Sequence, residues 1–209
     1  MRATIFIIIS TLILTSCGPQ YKIKNGKVYY SSWNEGSGSN EMLIDSADAK
    51  TFREISNDEG IKLAKDKRYV FYEYSIITGA NPKTFKRVGK YFFTDNSSIY
   101  FFGFKHSGNN TWRVDSIDIS TFKINKIYPW ARDCKNLIYG DLVMNIKDLN
   151  QFKAIDEYWG RTNQQVFNEG HIYDSVDMST FEVIDENRAR DKNYRYEYGE
   201  KIKRKIDGL

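Results

Sequence analysis

A five-residue element that returns along the chain limits its fold more than any other feature: Asp or Asn, two further residues, usually Thr, then Phe. It runs from Asp48 to Phe52, Asn81 to Phe85, Asp118 to Phe122, Asp148 to Phe152 and Asp177 to Phe181, so the phenylalanines stand 33, 37, 30 and 29 residues apart. Between these lies a second element, a short charged turn followed by an aromatic or aliphatic run. It is seen at Asp66-Lys67-Arg68-Tyr69-Val70-Phe71-Tyr72, Asp95 to Phe101, Asp133 to Tyr139 and Asp191 to Tyr196, with looser versions from Lys24 and Thr162. The step from Asp66 to Phe85, from Asp133 to Phe152 and from Thr162 to Phe181 is 19 residues each time. Self-similarity at such a spacing marks a repeat architecture, whose terminal copies are often atypical. The basic period is about 29 residues with six copies, the last expected to be truncated because its phenylalanine would fall at position 210.

Each element has a local physical reading. The Asx side chain accepts a backbone N–H at the start of a helical turn, and the Phe drops one turn below as a core anchor. Pro82 follows Asn81, where a fixed φ fits and no N–H is needed. The charged turn feeds a strand of β-branched and aromatic residues. Each copy is therefore expected to read turn, strand, turn, short strand, capped helical turn, short strand. The fold class expected is mainly β: six tandem repeats of short strands plus a capped helical turn. About 29 residues is short for a four-stranded blade, which favours an open repeat array over a propeller. The stretch from Glu41 to Lys65 also admits a helix, but the repeat alignment argues against it. With 15% aromatic residues and only 14 Gly and 3 Pro in 209, wholesale disorder is excluded.

Asp66-Lys67-Arg68-Tyr69-Val70-Phe71-Tyr72 and Asp191-Lys192-Asn193-Tyr194 resemble the signature of the DKNYY family of bacterial repeat proteins. Gly79-Ala80-Asn81-Pro82-Lys83-Thr84-Phe85 resembles its second signature, with Asn in place of Asp. The resemblance covers nearly all of the chain beyond residue 17; the fifth copy departs from it, with Thr162 at the Asp position. It implies an architecture and carries over no catalytic residues.

The first residues give an address. Arg2 precedes a run from Ile5 to Leu14 that is almost entirely apolar and too short to span a bilayer, the pattern of a secretory signal. It ends in Leu14-Thr15-Ser16-Cys17, which resembles the bacterial lipobox. The resemblance implies a lipoprotein signal peptide over residues 1–16, lipidation at Cys17, and a single DKNYY-type domain over 17–209 anchored stably by more than one acyl chain. The expected location is the bacterial cell envelope, with Gly18 rather than Asp leaning toward the outer membrane. Lipidation leaves Cys134 alone, so no intramolecular disulfide is expected, and a lone cysteine more often behaves as a small buried hydrophobe.

Two departures from the period place candidate binding residues. Insertions of nine and eight residues fall at the same point of the first and third copies, around Ser31 to Asn40 and Phe104 to Arg113. Both are rich in Gly, Ser and Asn. The first holds Trp33, and the second holds His106 and Trp112. In repeat arrays such insertions map to one face, often the binding face, and aromatic residues anchor interfaces. The competing reading is that the tryptophans fold back to shield a strand edge.

Catalytic and metal chemistry is not signalled. The two histidines, His106 and His171, lie in different copies, and neither a phosphate loop nor a CxxC occurs. The recurring Asp pairs (Asp45 and Asp48, Asp115 and Asp118, Asp174 and Asp177) suggest calcium or acid–base work, but their second members are already assigned to turn capping. The basic run from Lys201 to Lys205 reads as an edge strand, with contact to anionic headgroups as a second role. A net charge of +4 with both signs interspersed is no signal for nucleic acid. The sequence thus points to a non-enzymatic, lipid-anchored envelope protein that needs no cofactor, contacts the membrane through its anchor, and binds a protein or glycan. The alternatives are an immunity-type protein that neutralises a toxin at the membrane, a structural envelope component, and a hydrolase built on one Asp pair.

Overall fold

The computed structural model describes residues 20–58, 60–104 and 112–203, and these are mainly β with no α-helix. Their short strands form six separate antiparallel sheets, each with its strands in chain order. The first sheet has three strands, Gln20–Lys24, Lys27–Asn34 and Gly38–Leu43; each of the others has four. The fourth sheet shows the plan: Lys123–Ile124, Trp130–Arg132, Leu137–Tyr139 and Leu142–Met144. Each four-stranded sheet begins directly after the Phe of the Asx element, and the charged turn joins its second and third strands.

This corrects two expectations. Each sheet holds a strand before the charged turn that the sequence reading did not separate, such as Trp159–Arg161. Four strands fit within about 29 residues because most are only two to four residues long, so the argument from blade length against four strands fails. The last sheet has all four strands, Glu182–Val183, Arg188–Arg190, Tyr194–Glu197 and Glu200–Lys203, because its natural frame starts after Phe181 rather than at Asp191.

The chain divides into two compact units, one of residues up to 66 with 71–75, the other of 67–70 with residues from 76 onward. Within the first unit, Val28, Tyr30, Ile44 and Phe71 form a buried cluster, with Tyr21 and Phe52 packed against it. Within the second, neighbouring sheets stack through their buried faces. Phe92, Ile99 and Phe101 of the third sheet pack with Ala131 and Ile138 of the fourth. Trp130 and Tyr139 pack with Phe167 of the fifth, and Trp159 and Tyr173 with Ala189 and Tyr196 of the sixth. Trp130 and Trp159, both fully buried, each donate an indole N–H to a carbonyl 26 residues ahead, on Asp156 and Asp185 respectively. That satisfies the one polar group a buried indole carries.

The two sequence elements are bonded to each other. One oxygen of the charged-turn aspartate accepts the N–H of the preceding Asx residue: Asp48 N–H to Asp66 at 2.7 Å, Asn81 to Asp95 at 3.0 Å, Asp118 to Asp133 at 2.8 Å and Asp177 to Asp191 at 2.9 Å. The other oxygen closes the turn, receiving for example the N–H groups of Lys135 and Asn136 at Asp133 and of Asn193 and Tyr194 at Asp191. A buried tyrosine five residues on adds a bond where one is present, Tyr100 to Asp95 and Tyr196 to Asp191. The Asx side chain then accepts the N–H two residues ahead, as at Lys50, Lys83, Ser120 and Ser179. The turn that follows is a short 3₁₀ segment at Ile119–Thr121 and Leu149–Gln151. One carboxylate thus fixes both ends of the segment between the two elements.

Candidate functional site

The first insertion lengthens a hairpin. Lys27–Asn34 and Gly38–Leu43 stay paired from Tyr29 opposite Leu43 to Asn34 opposite Gly38, so the residues expected to form a loop form a two-stranded ribbon. Its tip is held by Asn34 Oδ1, which accepts the N–H of Ser37 at 2.7 Å and its hydroxyl at 2.9 Å. At the base, Lys24 and Lys22 pair with Glu41, and these bonds hold the Glu41 carboxyl below its ordinary range. Trp33 stands on this ribbon, opposite Ser39, with 56% of its surface exposed. A large aromatic side chain carried on a paired ribbon is presented at low conformational cost, as interface anchors are.

Trp112 has a different setting. It is half-buried and stacks on Phe102, with ring centroids 5.2 Å apart and planes 25° from parallel. Its carbonyl accepts the N–H of Phe101. Trp33 and Trp112 belong to different compact units. His106 and Cys17 lie outside the described residues.

Cys134 is exposed, against the expectation of a buried small hydrophobe. It follows Asp133 in the turn, its N–H bonds to Thr121 Oγ1, and its thiol donates to the Asp118 carboxylate at 3.4 Å. Bonds from Ser120, then from Cys134, hold the Asp118 carboxyl below its ordinary value.

The charged-turn aspartates and several of the paired ones are engaged within the fold. Burial pushes the carboxyl of Asp133 up, but the N–H groups of Asp118, Lys135 and Asn136 and the Asn136 amide outweigh it and hold it below the usual carboxylate range. Asp95 and Asp191 are depressed in the same manner, against burial, by their backbone, hydroxyl and tyrosine donors. Lys192 and Ser179 hold Asp177 down to about 2. Asp115 pairs with Arg113, and Asp174 accepts the Gln165 amide. Among the described residues, no three His, Cys, Asp or Glu side chains converge as a metal site. Of the basic run, Lys201 bonds to the carbonyls of Asp174 and Ser175 from the edge strand of the sixth sheet.

The second unit also contains two cavities at matching places in successive sheets. One, of about 410 Å³, lies between the third sheet and the next Asx turn, with Lys86, Val88 and Ile99 on one side and Ile119 and Phe122 on the other. The other, of about 330 Å³, lies between the fourth sheet and its following turn, lined by Lys123, Asn125, Arg132, Asn150 and Phe152 among others. The sequence reading missed these residues. The available signal was the cation that follows the Phe at Arg53, Lys86, Lys123 and Lys153, and the one that precedes the turn at Lys65, Arg132, Arg161 and Arg190.

Small meandering sheets, most of them tied by a buried carboxylate, define a repetitive all-β scaffold. A model of the DKNYY family matches residues 69–201, more than half of the chain, and the chain belongs to that family. The matched span starts after the first sheet, yet Asp48 and Asp66 outside it carry the same bond as their counterparts inside. Neither the curated proteins nor the solved structures contain a match.

Proposed function

We propose that this protein is a lipid-anchored component of the bacterial envelope, tethered through Cys17, that acts as a non-enzymatic binding module for a protein or glycan. In this reading its six copies of about 29 residues form an open array that displays binding residues. The observation that carries the proposal is Trp33, more than half exposed on a ribbon that the repeat plan does not require. Single exposed apolar residues are common; a tryptophan on a paired, tip-locked extension is a costly surface feature for a chain with nothing to bind. The lipobox-like sequence supplies the tether.

The test is crosslinking of the lipidated protein in its native membrane, capture and mass spectrometry, with Trp33→Ala alongside. The expected result is one stoichiometric partner that the variant loses while melting like the parent. A partner retained by Trp33→Ala removes the ribbon from the site. Capture of a toxin supports the immunity role, and capture of many envelope proteins in both forms supports the structural one. In parallel, Cys17→Ser is expected to leave the membrane fraction.

A further inference from the structure

From the cavity beside the fourth sheet, we infer that Lys123 and Arg132, with Asn125 and Asn150, form a binding site for a phosphoryl group. Lys123 and Arg132 sit directly opposite each other on adjacent antiparallel strands, and both line the cavity of about 330 Å³. Like charges placed directly across a strand pair destabilise a sheet. Neither cation has an ion pair or hydrogen bond among the described residues. The fold does not demand this arrangement: the same two positions hold Lys86 and Thr94 in the third sheet, and Glu182 and Arg190, joined as an ion pair, in the sixth. Edge protection accounts for Lys123, whose strand is outermost, but Arg132 is on an inner strand.

The two carboxamides complete the donor set. Asn125 spends its oxygen on the N–H of Ile127 at 3.2 Å, which leaves its NH₂ as the free end. Asn150 is exposed on the Asx turn at the cavity's far side. A guanidinium fork, an ammonium and two amide NH₂ groups offer more donors than the two oxygens of a carboxylate can use, and suit a phosphoryl group with several oxygens and up to two charges. The adjacent fifth sheet repeats the opposed cations as Lys153 and Arg161. This inference does not depend on the partner reading above.

The test uses the full chain in detergent, with isothermal titration and thermal melting in inorganic phosphate against chloride at matched ionic strength. The decisive variant is Lys123→Glu, which copies the chain's own Glu182–Arg190 pair and so keeps a tolerated fold. Phosphate is expected to raise the melting temperature of the parent. Lys123→Glu is expected to melt no lower than the parent without phosphate and to bind it about tenfold more weakly or worse. A phosphate response no greater than that of chloride, or one that Lys123→Glu retains in full, overturns the site. A second arm supplies water-soluble short-chain phosphatidylglycerol. Tighter binding than inorganic phosphate identifies a lipid headgroup as the source, and weaker binding identifies a free or terminal phosphate; either outcome supports the site.

Discussion

At the charged turn of the fourth sheet a single carboxylate, Asp133, receives the N–H groups of Asp118, Lys135 and Asn136 together with the Asn136 amide. At the same turn of the fifth sheet two neutral side chains divide that work. Thr162 Oγ1 accepts the N–H groups of Gln164 and Gln165, and Gln165 Oε1 accepts the N–H of Lys147 at 3.0 Å while its amide is held by Asp174. The accepted N–H lies one residue earlier than in the other sheets. Asp148 takes a left-handed conformation, φ 54°, and its side chain does not cap. The partner element changes too: Gln151 stands where Thr84, Thr121 and Thr180 bond to their own charged turns. The lesson is that the geometric requirement is a fixed acceptor for that N–H, and a carboxylate is only its most compact solution.

The strongest way to break the contrast is Asp133→Ala, which takes the shared acceptor away from several part-buried bonds. A loss of about 3 kcal/mol is expected, because bonds to a charged acceptor contribute about 1.5–3 kcal/mol each, and the part-buried donors are only incompletely resolvated. Urea unfolding measures it. Grafting the neutral solution, Asp133→Thr with Asn136→Gln, is expected to cost only about 1–2 kcal/mol relative to the parent, since most donors regain a neutral acceptor. A graft as damaging as Asp133→Ala sinks the equivalence of the two turns. Tyr196→Phe removes one bond to Asp191 and is expected to cost about 1 kcal/mol, given that Phe71 and Phe167 occupy the same place in other sheets.

The subtlest contrast is in pH. Asp95, Asp133 and Asp191 are depressed in the folded state, so their stabilisation is present above the unfolded value, near 4, and is lost as pH falls through their folded values. Amide exchange on acidification is expected to lose protection at Asn81, Asp118 and Asp177 before Lys147, whose acceptor carries no proton-dependent charge. Equal loss at all four would show that the turns open as one global unit.

The recurrence of Asp and Phe was legible in the sequence because turn chemistry and core anchoring depend on fixed short spacings. The family was legible for the same reason. The bond joining Asp133 to Asp118 was not, because nothing local ties a carboxylate to an N–H 15 residues away. Strands such as Lys153–Ala154 are too short to show alternation. Gln165 carries no signal as a substitute for Asp until its partner is in place. Trp33 and Trp112 looked alike in sequence, yet pairing keeps one exposed and a Phe102 stack half-covers the other. The cavity residues Lys123 and Arg132 became a pair only through register.

The aspartate bonds also bear on how this chain finds its fold. Each spans only 14 to 18 residues, and the strands of each sheet are neighbours in sequence. β proteins usually fold slowly because their pairings close long loops before contacts stabilise them. Here every closure is short, so the contact order within a sheet is closer to that of a helical bundle. Such a chain is suited to folding piece by piece, each sheet closing on its own turn before the next one arrives.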